Sequence, residues 1–144
     1  MERAAIEDQN GAPELPPLET QALVERIADV AWDKKALGLR ALRVLELVNY
    51  TDWFVIMSAR SDRHAAALRE HIHDTLKVED GRKPMTTEGG ERNQWIVMDY
   101  GDVVVHIFYE PVRAFYELER LWSEAPELEL TPPVEGPQAT GLIG

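Results

Sequence analysis

The sequence predicts an α/β (α+β) fold, with one domain built on a mixed central β-sheet flanked by helices. Three observations lead there. Residues 94–99 and 102–108 are two apolar runs joined by Asp99-Tyr100-Gly101-Asp102, the pattern of a tight hairpin. Residues 61–78 place Ala65, Leu68, Ile72 and Leu76 at three- and four-residue spacing, the stripe of an amphipathic helix. Two further apolar runs, 42–48 and 53–57, precede that helix. Hairpins join antiparallel strands and a helical connection crosses over, so the combination requires a mixed sheet.

The elements follow in order. Residues 1–19 are rich in Pro, Gly and acids without periodicity and are expected to form a flexible tail. Thr20 can cap a first helix whose Leu23, Ile27, Val30 and Ala31 share one face, and Gly38 can stop it. Asn49-Tyr50-Thr51-Asp52 has the turn chemistry to link the first two strands. Ser61 or Asp62 caps the next helix, and Gly81 and Pro84 end it. A short strand at 84–88 leads through the polar loop 89–93 into the main hairpin, where Gly101 supplies the positive φ of a two-residue turn. Pro111 suits the first turn of a last helix and Glu110 the positive end of its dipole. That helix is expected to bury Phe115, Leu118, Leu121 and Trp122. The order is therefore α-β-β-α-β-β-β-α over residues 20–122, with a disordered tail at 123–144.

Composition narrows the function. A chain of 144 residues suits one domain with tails and can bury a core without staples. It has no cysteine, which excludes disulfides, thiolate metal sites and cysteine nucleophiles and suits a reducing cytoplasm. The opening MERAAIEDQNGAPELPP has acids and no apolar h-region, so neither a signal nor a transit peptide is expected. No stretch approaches the ~20 apolar residues of a membrane span. The formal net charge of -11 is wrong for broad contact with phosphates, which are held by Lys and Arg. It suits a basic protein partner, whose approach the field would speed, although such charge also serves plain solubility.

Each candidate for chemistry has an ordinary explanation beside it. Asp99 and Asp102 could hold magnesium, but carboxylates sharing a strand face lie two apart, and here a turn separates them by three. Turn capping explains both acids better. His64, His71, His73 and His106 lack any zinc-binding spacing, and the three on the helix read as solvated. His106 lies in an apolar strand, where either one internal hydrogen bond satisfies it or it reaches the sheet face beside Asp102 and Trp95. Gly89-Gly90 has neither phosphate-loop pattern nor a helix behind it. Ser58 and Ser61 have no histidine–acid partners in sequence. Glu117 and Glu119, two apart on a helix, do not share a face, and Glu117 can pair with Arg113 or Arg120. Trp95 opens a strand beside a polar loop, a place for core packing or for a binding anchor. Trp53 and Trp122 read as core or in part as a dimer surface.

Several stretches in one order and spacing closely resemble the ribosomal silencing factor (Iojap-like) family. They are Thr51-Asp52-Trp53-Phe54-Val55-Ile56, Ser61-Asp62-Arg63-His64, Glu88-Gly89, Trp95 through Phe108 (WIVMDYGDVVVHIF), Arg113, and Phe115 through Trp122 (FYELERLW). The resemblance covers residues 23–122 and leaves out the acidic tails, while Gly89-Gly90 is a minor departure next to Trp95. It implies a nucleotidyltransferase-like fold without catalytic carboxylates, no enzyme activity, no cofactor and no metal. It implies binding to ribosomal protein L fourteen on the large subunit, a block to joining of the small subunit, and quieter translation when nutrients are short. Large-subunit assembly is the role of related organellar proteins, and homodimers are common in the family. Carried onto this chain, the implied partner-binding residues are Glu88, Trp95, Asp99, Asp102 and His106, with Tyr100 and Gly101 shaping the turn between them. A different class, a magnesium-dependent nucleotidyltransferase, is the rival reading.

Overall fold

The computed structural model describes residues 17–133. The remainder of both expected tails, 1–16 and 134–144, lies outside the described residues. The elements are α1 (Pro17–Asp33), β1 (Leu37–Arg43), β2 (Trp53–Ala59), α2 (Asp62–Asp80), β3 (Thr86–Glu88), β4 (Trp95–Asp99), β5 (Val103–Tyr109), α3 (Glu110–Tyr116), α4 (Leu118–Leu121) and β6 (Glu127–Leu128).

The strands form one six-stranded mixed sheet in the order β3-β4-β5-β2-β1-β6. β2 and β5 at its centre run parallel, from Trp53 opposite Val103 to Ala59 opposite Tyr109. The other neighbours are antiparallel. A parallel pair needs a crossover, and the connection from β2 to β5 runs through α2 and the β3–β4 hairpin. The central strands are buried on both faces, which is why their sequences are continuous apolar runs. β4 alternates instead: Ile96 and Met98 are buried, while Trp95, Val97 and Asp99 are half-buried on the opposite face.

One face is the main core. Leu23, Ile27 and Val30 of α1 and Leu68, Ile72 and Leu76 of α2 pack there on Val55, Met57, Met98, Val105 and Ile107. α2 matches its expected form closely. Ser61 Oγ accepts the His64 amide at 3.0 Å, Gly81 closes the other end at φ 66°, and Ala65, Leu68, Ile72 and Leu76 are its buried residues. The opposite face holds a second cluster of Leu42, Val44, Phe54, Ile56, Val104, Phe108 and Leu118, with Trp95 and Trp122 packed against it. Val112 of α3, Leu118 of α4 and Ala125 beyond them all belong to this second cluster.

Five sequence expectations need correction. Thr20 is a buried position within α1, three residues after Pro17, and does not cap that helix. Gly38 does not stop α1, which ends at Asp33, but lies in β1, which begins at Leu37 and not at Leu42. There it forms a bulge. Three steps along β1, from Leu37 to Arg40, oppose two along β2, from Ser58 to Ile56, and Gly38 adopts φ 56°. The positive φ favours glycine there, and a Cβ would also lie 2.9 Å from Arg113 Nη1, which would have to shift. The last helix is broken at Glu117, whose φ of 51° separates α3 from α4, and Phe115 is 78% exposed instead of buried. Within the stretch from Ser123 on, expected to be disordered, Glu127–Leu128 forms β6 and pairs Ala41 with Leu128 and Leu42 with Glu127. Lastly, His64 is a half-buried bridge and not simply solvated. Its Nδ1 accepts the Arg60 amide at 2.9 Å, so Nε2 carries the proton and donates to the Lys34 carbonyl at 2.7 Å.

Candidate partner-binding face

Strand register decides which side chains meet. Val97 lies opposite both Glu88 and His106, and Trp95 lies opposite Phe108. Residues directly opposite share a face, and so do residues two apart, so Glu88, Trp95, Asp99 and His106 emerge on the face away from α1 and α2. Four of the residues implied by the family resemblance are thus brought together by pleat and register alone.

Trp95 and His106 are joined. The indole Nε1–H donates to His106 Nδ1 at 3.1 Å. The imidazole is therefore neutral, with its proton on Nε2. His106 is only 7% exposed, and Nε2 is buried without a hydrogen-bond partner. The ring sits edge-on to Phe54, with centroids 4.8 Å apart and planes at 76°. Both sequence alternatives are met in part: the ring is on the Trp95 face and has one internal hydrogen bond, but it lies beneath the surface.

Burial pushes the His106 pKa down to about 4. The unfolded chain takes up this proton near pH 6.5 and the folded chain does not, so between those values the unfolded state binds more protons. Stability should be intact above pH 6.5 and fall as the pH drops toward 4. From pH 7 to pH 4.5 the loss is about 2 kcal/mol, measurable by urea unfolding at stepped pH. His106→Phe should flatten that interval, and an unchanged slope in the variant would assign the proton uptake elsewhere.

The turn beyond β4 is well tied. Asp99 Oδ1 accepts the Gly101 amide at 2.8 Å, and the Tyr100 amide donates to the Val103 carbonyl at 2.8 Å. Gly101 adopts φ 91°, the conformation expected of it. The Asp102 carbonyl accepts amides of Asp52 and Trp53 at 3.0 and 3.1 Å, which locks this turn to the start of β2. Asp99 also faces Tyr50, whose pKa is raised by burial and then by the Asp99 charge. Tyr100 departs from the implied set. Its ring is 4% exposed in the core beneath α1 and α2, because it is the next residue after Asp99 and points through the other face. Burial there raises its pKa to about 12, against the opposing charge of Arg82. Its part in a binding face is confined to the backbone of the turn.

On the other side of Trp95 lies an open hollow of about 590 Å³, lined by Thr87, Gly89, Gly90, Glu91, Arg92, Gln94 and Trp95. Gly89 is obligatory, because a Cβ would stand 2.0 Å from the Trp95 carbonyl oxygen and the residue adopts φ 88°. The loop is thus an ordered turn, with the Asn93 amide donating to the Gly89 carbonyl at 3.2 Å. Among the described residues no group of three His, Cys, Asp or Glu converges as metal ligands would.

The sequence did not reveal two features of this face. Tyr116 packs on Trp95 at 5.1 Å, and Phe115 packs on Tyr116 at 5.1 Å. Helical periodicity assigned Phe115 to the core, but α3, none of whose residues is fully buried, leaves it exposed just before the break at Glu117. That break is held by Arg113, which donates to Glu119 Oε2 through Nε and Nη2 at 3.1 and 2.6 Å. Its Nη1 donates to the Gly38 carbonyl at 2.8 Å and to Ser58 Oγ at 2.9 Å. Burial would raise the Glu119 carboxyl, but the hydrogen bonds and charge of Arg113, with Arg40, hold it below its usual range. Glu117 pairs with Arg120, at 2.7 Å, leaving Arg113 to Glu119.

This architecture has known relatives. The family described as ribosomal silencing factor during starvation matches residues 17–141. A ribosomal silencing factor of Halalkalibacterium halodurans is 36% identical over 115 residues, covering 78% of this chain and 96% of that one. The mouse protein named mitochondrial assembly of ribosomal large subunit protein 1 is 28% identical over 102 residues, 69% of this chain and 45% of its own length. A crystal structure from Bacillus halodurans superposes with a TM-score of 0.67 at 34% identity, covering 76% of this chain and 99% of that one. One from Chromobacterium violaceum does so with a TM-score of 0.67 at 26% identity, covering 86% and 99%. With a match spanning every described residue and a relative this similar along most of both chains, the chain belongs to the ribosomal silencing factor family.

Proposed function

We propose that this protein is a non-enzymatic translation repressor that binds ribosomal protein L fourteen on the large ribosomal subunit and sterically blocks the small subunit. The observation that supports it most is the Trp95–His106 pair on the sheet face that also carries Glu88 and Asp99, in a chain of formal net charge -11. Binding energy concentrates in buried aromatic anchors with a polar surround. An acidic rim speeds encounter with a basic protein and fixes its orientation. A steric block needs no chemistry, only an interface of ordinary size, about 1,600 Å². Asp99 caps the Gly101 amide, which suits a turn better than a magnesium site. The proposed place of action is the cytoplasm. A homodimer is part of the reading; if its surface overlapped the Trp95 face, dilution would favour ribosome binding.

The test is subunit joining. Large subunits preincubated with this protein and then mixed with small subunits should sediment as separate particles, with the joined ribosome restored when the small subunit is added first. Normal joining by large subunits that demonstrably carry the protein would refute the block. Likeness to a mouse protein named for assembly of the mitochondrial large subunit favours one second reading, an assembly factor at the same site. Under that reading, cells lacking the protein accumulate large-subunit precursors.

A further inference from the structure

We infer that Phe115 and Tyr116 form a second half of the partner surface, continuous with Trp95, that grips a basic segment of the same ribosomal protein. The inference rests on the proposed function and adds residues and a mode of contact to it. Phe115 is 78% exposed and Tyr116 54% exposed, although both are large hydrophobic residues. Adjacent exposed aromatics on a folded domain mark contact sites more often than isolated ones do. Here they run as a ring-to-ring path from Phe115 to Tyr116 to Trp95 to Phe108, with centroids 5.1, 5.1 and 4.8 Å apart.

The exposure is built into the fold. α3 ends in the left-handed turn at Glu117, and the Arg113 bonds to Glu119, Gly38 and Ser58 pin the helix against β1 and β2. The rings are therefore presented in a fixed orientation, which lowers the ordering cost of binding.

The charges nearby choose the occupant. Arg113 is engaged by Glu119 and Arg120 by Glu117, while Glu110 is exposed at the start of α3. A nucleic acid would meet repulsion from a chain of net charge -11. A Lys- or Arg-bearing segment is attracted by the field and can lay its cations over the faces of Phe115 and Tyr116.

The experiment measures the affinity of wild type, Phe115→Ala, Tyr116→Ala and Trp95→Ala for isolated ribosomal protein L fourteen and for purified large subunits. Circular dichroism and thermal unfolding confirm that each variant is folded, and Phe115→Ala removes a ring that supports little of the core. The expected result is about tenfold weaker binding of Phe115→Ala to both targets. Unchanged binding of both aromatic variants alongside a Trp95→Ala defect would overturn the inference and leave the proposed function standing. A defect on subunits but not on the isolated protein would place the rings on RNA or another component and overturn it. A defect only in self-association would make them a dimer contact and overturn it equally. If wild type fails to bind the isolated protein, the parent reading falls and this inference with it.

Discussion

Trp95→Ala should weaken binding to purified large ribosomal subunits by about 30-fold or more, enough to remove the protein from the pellet at micromolar concentration. Three things make this the most damaging single change on the face. The indole packs on Phe108 and Tyr116 at 4.8 and 5.1 Å, so its loss removes a packing partner from both rings. It supplies the N–H that His106 Nδ1 accepts, so its loss leaves a second unpaired atom on a ring whose Nε2 already has none. It also forms one wall of the open hollow next to Gly89 and Gly90. Trp95→Phe separates these contributions, because it keeps the stack and discards the N–H. Co-sedimentation of all three proteins, with thermal unfolding as the check on folding, gives the answer. Full-strength pelleting of a folded Trp95→Ala variant would remove Trp95 from the binding site.

Arg113→Met should cost about 3 kcal/mol of folding stability, the largest expected loss from a change to a charged residue here. The guanidinium is 13% exposed and its partner carboxylate on Glu119 is 19% exposed. Removing the cation leaves a half-buried carboxylate, the Ser58 hydroxyl and the Gly38 carbonyl without their donor. Arg40, which reaches both Glu119 at 3.5 Å and Glu127 at 2.8 Å, replaces part of the lost charge. Replacing both partners, as Arg113→Met with Glu119→Met, should recover much of the loss, because no uncompensated charge then remains. Urea unfolding of the two single variants and the double variant closes the cycle. Single-variant losses below about 1 kcal/mol, or a double variant no better than Arg113→Met, would show that the cluster is not a clamp.

The sequence was readable wherever structure depends on near neighbours. α2 was foreseen in its cap, its buried stripe and its glycine stop, because a helix is written in i to i+4 relations. The β4–β5 hairpin was legible for the same reason: its two apolar runs, its turn and its glycine lie close together in the chain. The proposed binding face came from matching those motifs to a family, and register then placed Glu88, Trp95, Asp99 and His106 on one sheet face.

What escaped the sequence depends on partners far along the chain. β6 exists because Glu127 and Leu128 find β1, and the Arg40–Glu127 bond that holds it spans 87 positions. The break at Glu117 depends on an arginine that reaches back 75 positions to Gly38, so a stretch that reads as one helix folds as two. The burial of His106 and the inward turn of Tyr100 follow from which layer covers each face. By itself, then, the sequence determined the local elements, the turn chemistry and the family. The tertiary structure alone decided which aromatic side chains reach solvent, because exposure depends on distant segments packing over each face, and local periodicity carries no record of them.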